Sequence, residues 1–228
     1  MNTKPYFFPS YFKKCRELTD AFDNNWIQDY AEYLLAGFCI PTLLSKKPSS
    51  LIRVNIRNSE YKDRLLQSIN SVIGKFDCDY YILYENTSAL NLLIYHRELL
   101  RYLLATKEIR EFLIALGYEL KLNDILLLLS TLRIKLGHYY ENRSSDVSIH
   151  SPIEFPHEIG IILGYPIQDV MDFIKYQGKN YIFCGYWKVY HNAEEAVKIF
   201  EDYKQIRHYA MNMLHEGKRL ELLAKELL

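Results

Sequence analysis

The chain has 228 residues, with 28 Lys or Arg and 28 Asp or Glu, so its formal net charge is zero. A zero net charge provides no overall field to attract nucleic acid, and the longest apolar runs are shorter than the roughly 20 residues of a membrane-spanning helix. The N-terminus lacks the apolar core of a signal peptide, and the four cysteines form no C-x-x-C pair. We therefore predict a cytoplasmic protein with reduced thiols and no membrane or nucleic-acid partner.

The first half of the chain predicts a helix followed by three strands. Apolar residues such as Trp26, Tyr30 and Tyr33 recur at three- and four-residue intervals up to Phe38, the period of an amphipathic helix. After the turn-forming stretch CIPTLLSKKPSS, the alternation in LIRVNI indicates a strand over Leu51–Ile56, and a helix follows over about 61–73. The runs CDYYILYE and ALNLLIYH, separated by NTS, are typical of an antiparallel hairpin.

The second half predicts helices and one more strand. Helical periodicity runs from Arg97 to the LGY stop, and Asn123 or Asp124 is predicted to cap a helix that ends near Leu136. A polar linker is expected near 139–152, a last strand over about 181–190, and a long helix from Ala193 that bends near Gly217.

These elements predict an α+β fold, in which a small, mainly antiparallel sheet is flanked by helices and a helical hairpin precedes the last strand. Residues 1–36 are predicted to form a helical N-terminal appendage, and residues 37–228 a single α+β domain.

The stretch FPHEIGIILGYPIQDVMDFI, from Phe155 to Ile174, allows three interpretations. Its spacing suits a helix-turn-helix, but Asp169 and Asp172 on the second helix would repel DNA phosphates. HEIGI lacks the second His of a zinc-protease motif, so we predict no metal site, and Glu158 is expected to stabilise the first helical turn. Two packed helices that need small residues at a close crossing are the favoured interpretation.

Catalytic residues cannot be assigned from the sequence, so whether the protein is an enzyme stays open. The candidates are Cys39, His157 and Glu158, because Lys46 and Lys47 follow Cys39 and nearby cations lower a thiol pKa. A thiol-dependent enzyme would need His157 near Cys39, within about 10 Å. The simpler interpretation of Cys39 is a small buried apolar residue.

Three blocks resemble domain-of-unknown-function family 3793, a bacterial family: CIPTLLSKKPSSL from Cys39, the stretch from Phe155, and GKNYIFCGYWKVYHNAEEAVKIFEDYK from Gly178. Ser45 stands at a position where the family pattern has glycine. The resemblance implies no activity; it implies an accessory role linked to redox or iron metabolism.

We therefore predict an accessory protein that binds a ligand or partner, either an unknown protein or a small anionic ligand, and we expect no cofactor. A helix-turn-helix regulator and a thiol-dependent enzyme are the alternatives. The ligand-binding candidates, drawn from the blocks and from cations beside β-prone runs, are Lys47, Arg97, Tyr165, Asp169, Trp187 and Lys188.

Overall fold

The structure is a computed structural model that describes residues 24–120, 125–144 and 154–227. Its helices are α1 Asn24–Phe38, α2 Ile40–Leu43, α3 Ser59–Ile73, α4 Arg97–Ala105, α5 Lys107–Ala115, α6 Ile125–Ser144, α7 Ile159–Ile162, α8 Ile167–Lys175, α9 Ala193–His215 and α10 Glu221–Leu227. Its strands are β1 Ser49–Asn55, β2 Cys78–Glu85, β3 Ala89–His96, β4 Phe183–Cys184 and β5 Lys188–Val189.

The main sheet has three antiparallel strands in the order β1-β3-β2. The central strand β3 places Leu93 opposite Leu51 of β1 and Tyr81 of β2. Its residues 89–95 are all buried because helices cover both faces of the sheet. The predicted hairpin of β2 and β3 is confirmed, as is the α+β fold class.

Two helical layers enclose the sheet, and alternate residues of β3 serve each layer. Leu92 and Ile94 join a core with α1, α3, α9 and α10, whereas Leu93 and Tyr95 join a second core with α4, α5, α6 and α7. Successive strand residues point to opposite faces, so one strand holds the two cores together.

The first helix buries a different face from the predicted one. Ile27, Ala31 and Leu35 are its core residues, while Trp26 and Tyr30 stack on each other at 5.3 Å at the edge of that core. Aromatic side chains have the same period as the aliphatic ones beside them, so the period alone did not select the face. The rest of the predicted helix, up to residue 23, lies outside the described residues.

The predicted last strand is wrong as a single strand. The run reverses at Gly185 and Tyr186, so that β4 and β5 form a two-stranded hairpin in which Ile182 N–H donates to Val189 O at 2.8 Å. β-Propensity predicted the extended segments but not the reversal between them.

The helical hairpin is confirmed as α7 and α8. A Cβ on Gly160 would lie 2.9 Å from Val170 Cγ2, so glycine is needed where the two helices cross. This close contact explains the small residue that the sequence places there.

The predicted domain limits stay a prediction, but the structure shows helices at two of the predicted boundaries. Helix α1 continues through residue 36 and contributes to the first core, and α6 extends through Ser144, so the first residues of the predicted linker are helical. Asn123, Asp124 and residues 145–152 lie outside the described part of the chain. Within that part, no helix is both long and apolar enough to cross a membrane.

Candidate functional site

A cavity of about 170 Å³ lies where α1, β1, the helical hairpin and α9 meet. Its lining combines two cations with aromatic and aliphatic side chains: Lys47, Arg207, Phe38, Tyr165, Tyr186, Pro41, Leu51 and Leu163, together with Gly37 and Ser50. None of these described lining residues is acidic. We call this space the Lys47 cavity.

The turn after α2 presents Lys47 to the cavity. Ser45 adopts a left-handed backbone with φ of 56°, which turns the chain back toward β1. The Tyr203 hydroxyl of α9 donates to Lys46 O at 3.2 Å and fixes the turn from the other side. Ser45 therefore occupies the kind of conformation that favours glycine, the residue of the family pattern at this position.

The loop after α7 is held against the same turn. Gly164 has φ of 80°, and a Cβ there would lie 2.5 Å from Pro48 Cδ, so only glycine permits this approach. The Ser49 hydroxyl also donates to Ile162 O at 2.6 Å. These contacts place Tyr165 beside Lys47, whose ammonium lies 5.9 Å from the centre of the Tyr165 ring.

Trp187 and Asp169 hold the Tyr165 ring in place. The Trp187 ring stacks on Tyr165 at 5.3 Å, and Trp187 Nε1 donates to Asp169 Oδ2 at 2.7 Å. Asp169 Oδ1 accepts from the backbone N–H groups of Tyr190 and His191 at 3.1 and 2.9 Å. The buried Asp169 carboxylate thus orients the aromatic wall of the cavity, and its own acceptors are occupied.

Lys47 is the unusual charge of the cavity. Burial lowers the pKa of its ammonium to about 8, with a smaller opposing effect from the Cys39 thiol. Among the described residues, no carboxylate forms an ion pair with Lys47. Near neutral pH the cavity therefore holds a largely buried positive charge that no described carboxylate neutralises.

A wider depression of about 390 Å³ lies between α3 and β2. Asp63, Leu66, Gln67, Asn70 and Tyr80 line it, and none of them was a predicted site residue. It has one acidic side chain and no cation, so it lacks the concentration of charge found at Lys47.

Cys39 is buried behind the cavity, within the first core. Lys47 does lower the thiol pKa, but burial has the larger effect and raises it well above the ordinary value. The effect of Lys47, on which the candidacy of Cys39 rests, is therefore smaller than the opposing effect of burial, and Cys39 as a catalytic residue stays a prediction. Cys39 and His157 share no hydrogen bond, and their separation within 10 Å stays a prediction.

His157 and Glu158 belong to the packing of the second core. The His157 ring lies against Phe155 and Phe173 at 5.3 and 4.8 Å, and burial lowers its pKa. Glu158 forms no capping hydrogen bond at α7, so stabilisation of the first turn by its charge stays a prediction. Its buried carboxylate instead accepts from the buried Tyr118 OH at 3.1 Å and from the partly exposed Lys135 Nζ at 2.8 Å.

Arg97 and Lys188 have partners within the fold. Arg97 Nε donates to Asp79 Oδ2 at 2.6 Å, and that hydrogen bond raises the guanidinium pKa. Lys188 Nζ donates to Gly178 O at 2.6 Å and lies over the Phe173 and Tyr181 rings. Neither residue lines the Lys47 cavity.

Of the predicted ligand-binding residues, the structure thus brings Lys47 and Tyr165 to one cavity, with Asp169 and Trp187 supporting Tyr165. Sequence reasoning missed Phe38 and Arg207. Phe38 is the last residue of α1, Arg207 lies within α9, and neither belongs to a local motif. The described residues include no group of three or more His, Cys, Asp or Glu that could hold a metal.

Comparison with known proteins gives one match. The model of a family described as a protein of unknown function (DUF3793) matches residues 35–224, which is most of the chain. No curated protein and no solved structure matches. The family predicted from the three sequence blocks is thereby confirmed.

Proposed function

The chain belongs to the DUF3793 family, and we propose that it binds a small anionic molecule in the Lys47 cavity. This is the ligand-binding form of the accessory role inferred from the sequence. The redox or iron link and the cytoplasmic location remain part of that proposal.

The main support for the proposal is that the Lys47 ammonium is largely buried and pairs with no described carboxylate. A buried ammonium without a counter-ion is costly, and the lowered pKa reflects that cost. An anion that enters the cavity would supply the missing charge and hydrogen-bond acceptors. Its binding would therefore be favoured by relief of a cost that already exists in the unliganded protein.

Arg207 adds a second donor group of different geometry. Its half-buried side chain comes from α9, about 160 residues away from Lys47 in the chain, and lines the same cavity. A guanidinium presents a planar fork that suits carboxylate or phosphate oxygens, while an ammonium acts as a point charge. The two cations together favour an oxyanion over a neutral ligand.

The two alternatives have less support among the described residues. Helix α8 exposes Gln168, Met171 and one cation, Lys175, and buries Asp169, so it offers little basic surface for DNA. A thiol-dependent enzyme would need a reactive Cys39, and that thiol is buried with a raised pKa.

The test is an NMR titration of the labelled protein with acetate and, separately, with inorganic phosphate. We expect saturable shifts of backbone amides around the cavity. Lys47→Met should weaken binding about 10- to 100-fold, the usual contribution of hydrogen bonds to a charged group.

Lys46→Met is the matched control. Lys46 is exposed and contributes only its backbone N–H and carbonyl to the turn, so this variant should bind like the parent. The proposal fails if neither anion binds, or if Lys46→Met and Lys47→Met weaken binding equally.

A further inference from the structure

We infer that the anion in the Lys47 cavity carries an apolar body of about one six-membered ring, so that the ligand class is a ring-bearing organic acid. This inference rests on the proposed function and specifies its ligand.

The size of the cavity sets the first limit. Its volume of about 170 Å³ is close to the roughly 150 Å³ of an engineered cavity that holds benzene. Sites that enclose drug-sized ligands or cofactors start at about 300 Å³. A single ring with its acid group therefore matches the available space, whereas a bare acetate or phosphate would fill only part of it.

The apolar part of the lining sets the second limit. Phe38 is 56% exposed and Leu51 is 37% exposed, and both border the cavity with its two cations. Single exposed apolar residues are ordinary on a protein surface. Here two of them adjoin the buried Pro41 and Leu163, so apolar surface continues from the rim into the cavity.

The aromatic wall is already ordered. Tyr165 is stacked on Trp187, and the Tyr186 ring meets Phe200 and Tyr203 edge-on or tilted at 5.3 Å. A wall that its neighbours hold in place loses little side-chain freedom when a ring packs on it. The cavity thus presents fixed apolar surface and two cations to one ligand.

The experiment compares two matched pairs of probes by titration: acetate with benzoate, and inorganic phosphate with phenyl phosphate. Within each pair the charged group is kept and a ring is added. Burial of the ring should tighten binding about 10- to 100-fold, and the pair with the greater affinity identifies the acid group.

Phe38→Ala is the first variant, because its exposed side chain can be removed without opening the core. We expect it to weaken benzoate about three- to tenfold and to leave acetate binding unchanged. Leu51→Ala should act in the same direction. Tyr102→Ala, which removes a 77% exposed ring on α4, is the control and should change nothing.

The outcomes separate this inference from the proposed function. If benzoate binds no more tightly than acetate while both depend on Lys47, the inference that the ligand carries a ring is wrong, and the proposal of anion binding is retained. If Phe38→Ala and Leu51→Ala leave the benzoate affinity unchanged, the placement of the ring is also wrong. If neither acetate nor inorganic phosphate binds, the proposed function itself fails.

Discussion

Lys135 and Lys47 each lie beside a tyrosine ring, but among the described residues only Lys135 pairs with a carboxylate. Lys135 lies 4.4 Å from the centre of the Tyr118 ring and donates to Glu158 Oε1 and Leu116 O, each at 2.8 Å. Lys47 lies 5.9 Å from the Tyr165 ring centre, and no carboxylate among the described residues pairs with it.

This difference distinguishes a charge that is neutralised within the fold from a charge that can bind a ligand. The ammonium of Lys135 is neutralised within the fold, so nothing further is gained by adding a ligand. The ammonium of Lys47 has a lowered pKa and faces a cavity. The identity of the residue and its aromatic neighbour are the same in both places, and the missing carboxylate makes Lys47 the candidate.

Thiol labelling, which has the largest expected effect, tests whether Lys47 activates Cys39 instead of binding an anion. If Lys47 served to activate Cys39, the cavity would be a nucleophile site and not an anion site. We expect Cys39 and Cys78 to react more than about 1,000-fold slower than the exposed Cys184, because labelling of a core thiol requires opening of the fold.

The labelling is measured by mass spectrometry in a Cys15→Ser background. His157→Ala should not change the Cys39 rate. Fast alkylation of Cys39 that depends on His157 would support the thiol-dependent enzyme and contradict the assignment of Lys47 to anion binding.

Glu158→Ala tests the paired lysine. It leaves Lys135 and the Tyr118 hydroxyl without their acceptor, so the free energy of unfolding should fall by about 2 to 3 kcal/mol, less than for a fully buried pair because Lys135 is partly exposed. Glu154→Ala, at an exposed position nearby, should cost little. Anion binding should be unchanged; a loss of binding would place Glu158 in the site.

Lys47→Met tests the unpaired lysine through the pH dependence of stability. The folded-state pKa of Lys47 is about 8 and the ordinary value is 10.5, so between these the unfolded state binds more protons and stability rises with pH. The variant lacks this cost. It should be more stable than the parent by about 2 kcal/mol at pH 7, allowing for partial exposure, and this advantage should vanish near pH 10.5.

Denaturant unfolding at several pH values measures that difference, and groups common to both proteins cancel in it. A variant that is less stable than the parent at pH 7 would show that Lys47 is already compensated.

Ser45→Gly has the smallest expected effect. Its φ of 56° costs serine more than glycine, so the substitution should stabilise the protein by about 0.5 to 1 kcal/mol without changing anion binding. Ser71→Gly, within α3, should destabilise by a similar amount. Equal effects of the two substitutions would show that the left-handed turn carries no strain.

The fold was predictable where local periodicity was strong. The hairpin of β2 and β3 has the predicted limits because alternation and the NTS turn are local signals. The reversal at Gly185 was missed; the contact that requires glycine there is with Phe200, fifteen positions further along the chain, and is not a local signal.

The site was only partly predictable. Lys47 and Tyr165 were candidates because they lie in blocks of the family resemblance, but their contact depends on Gly164 against Pro48. Arg207 could not be predicted, because its position in the cavity depends on how α9 crosses the turn at Tyr203. That none of the described carboxylates pairs with Lys47 is likewise a property of packing and is not visible in the sequence.

The most direct test is an NMR pH titration of the Lys47 side chain, assigned by comparison with Lys47→Met, with and without benzoate. We expect a pKa near 8 without benzoate and a higher pKa with it, because a bound anion favours the charged ammonium. A pKa near the ordinary 10.5 that benzoate does not change would contradict the claim that Lys47 is a largely buried cation, unpaired among the described residues, that binds an anion.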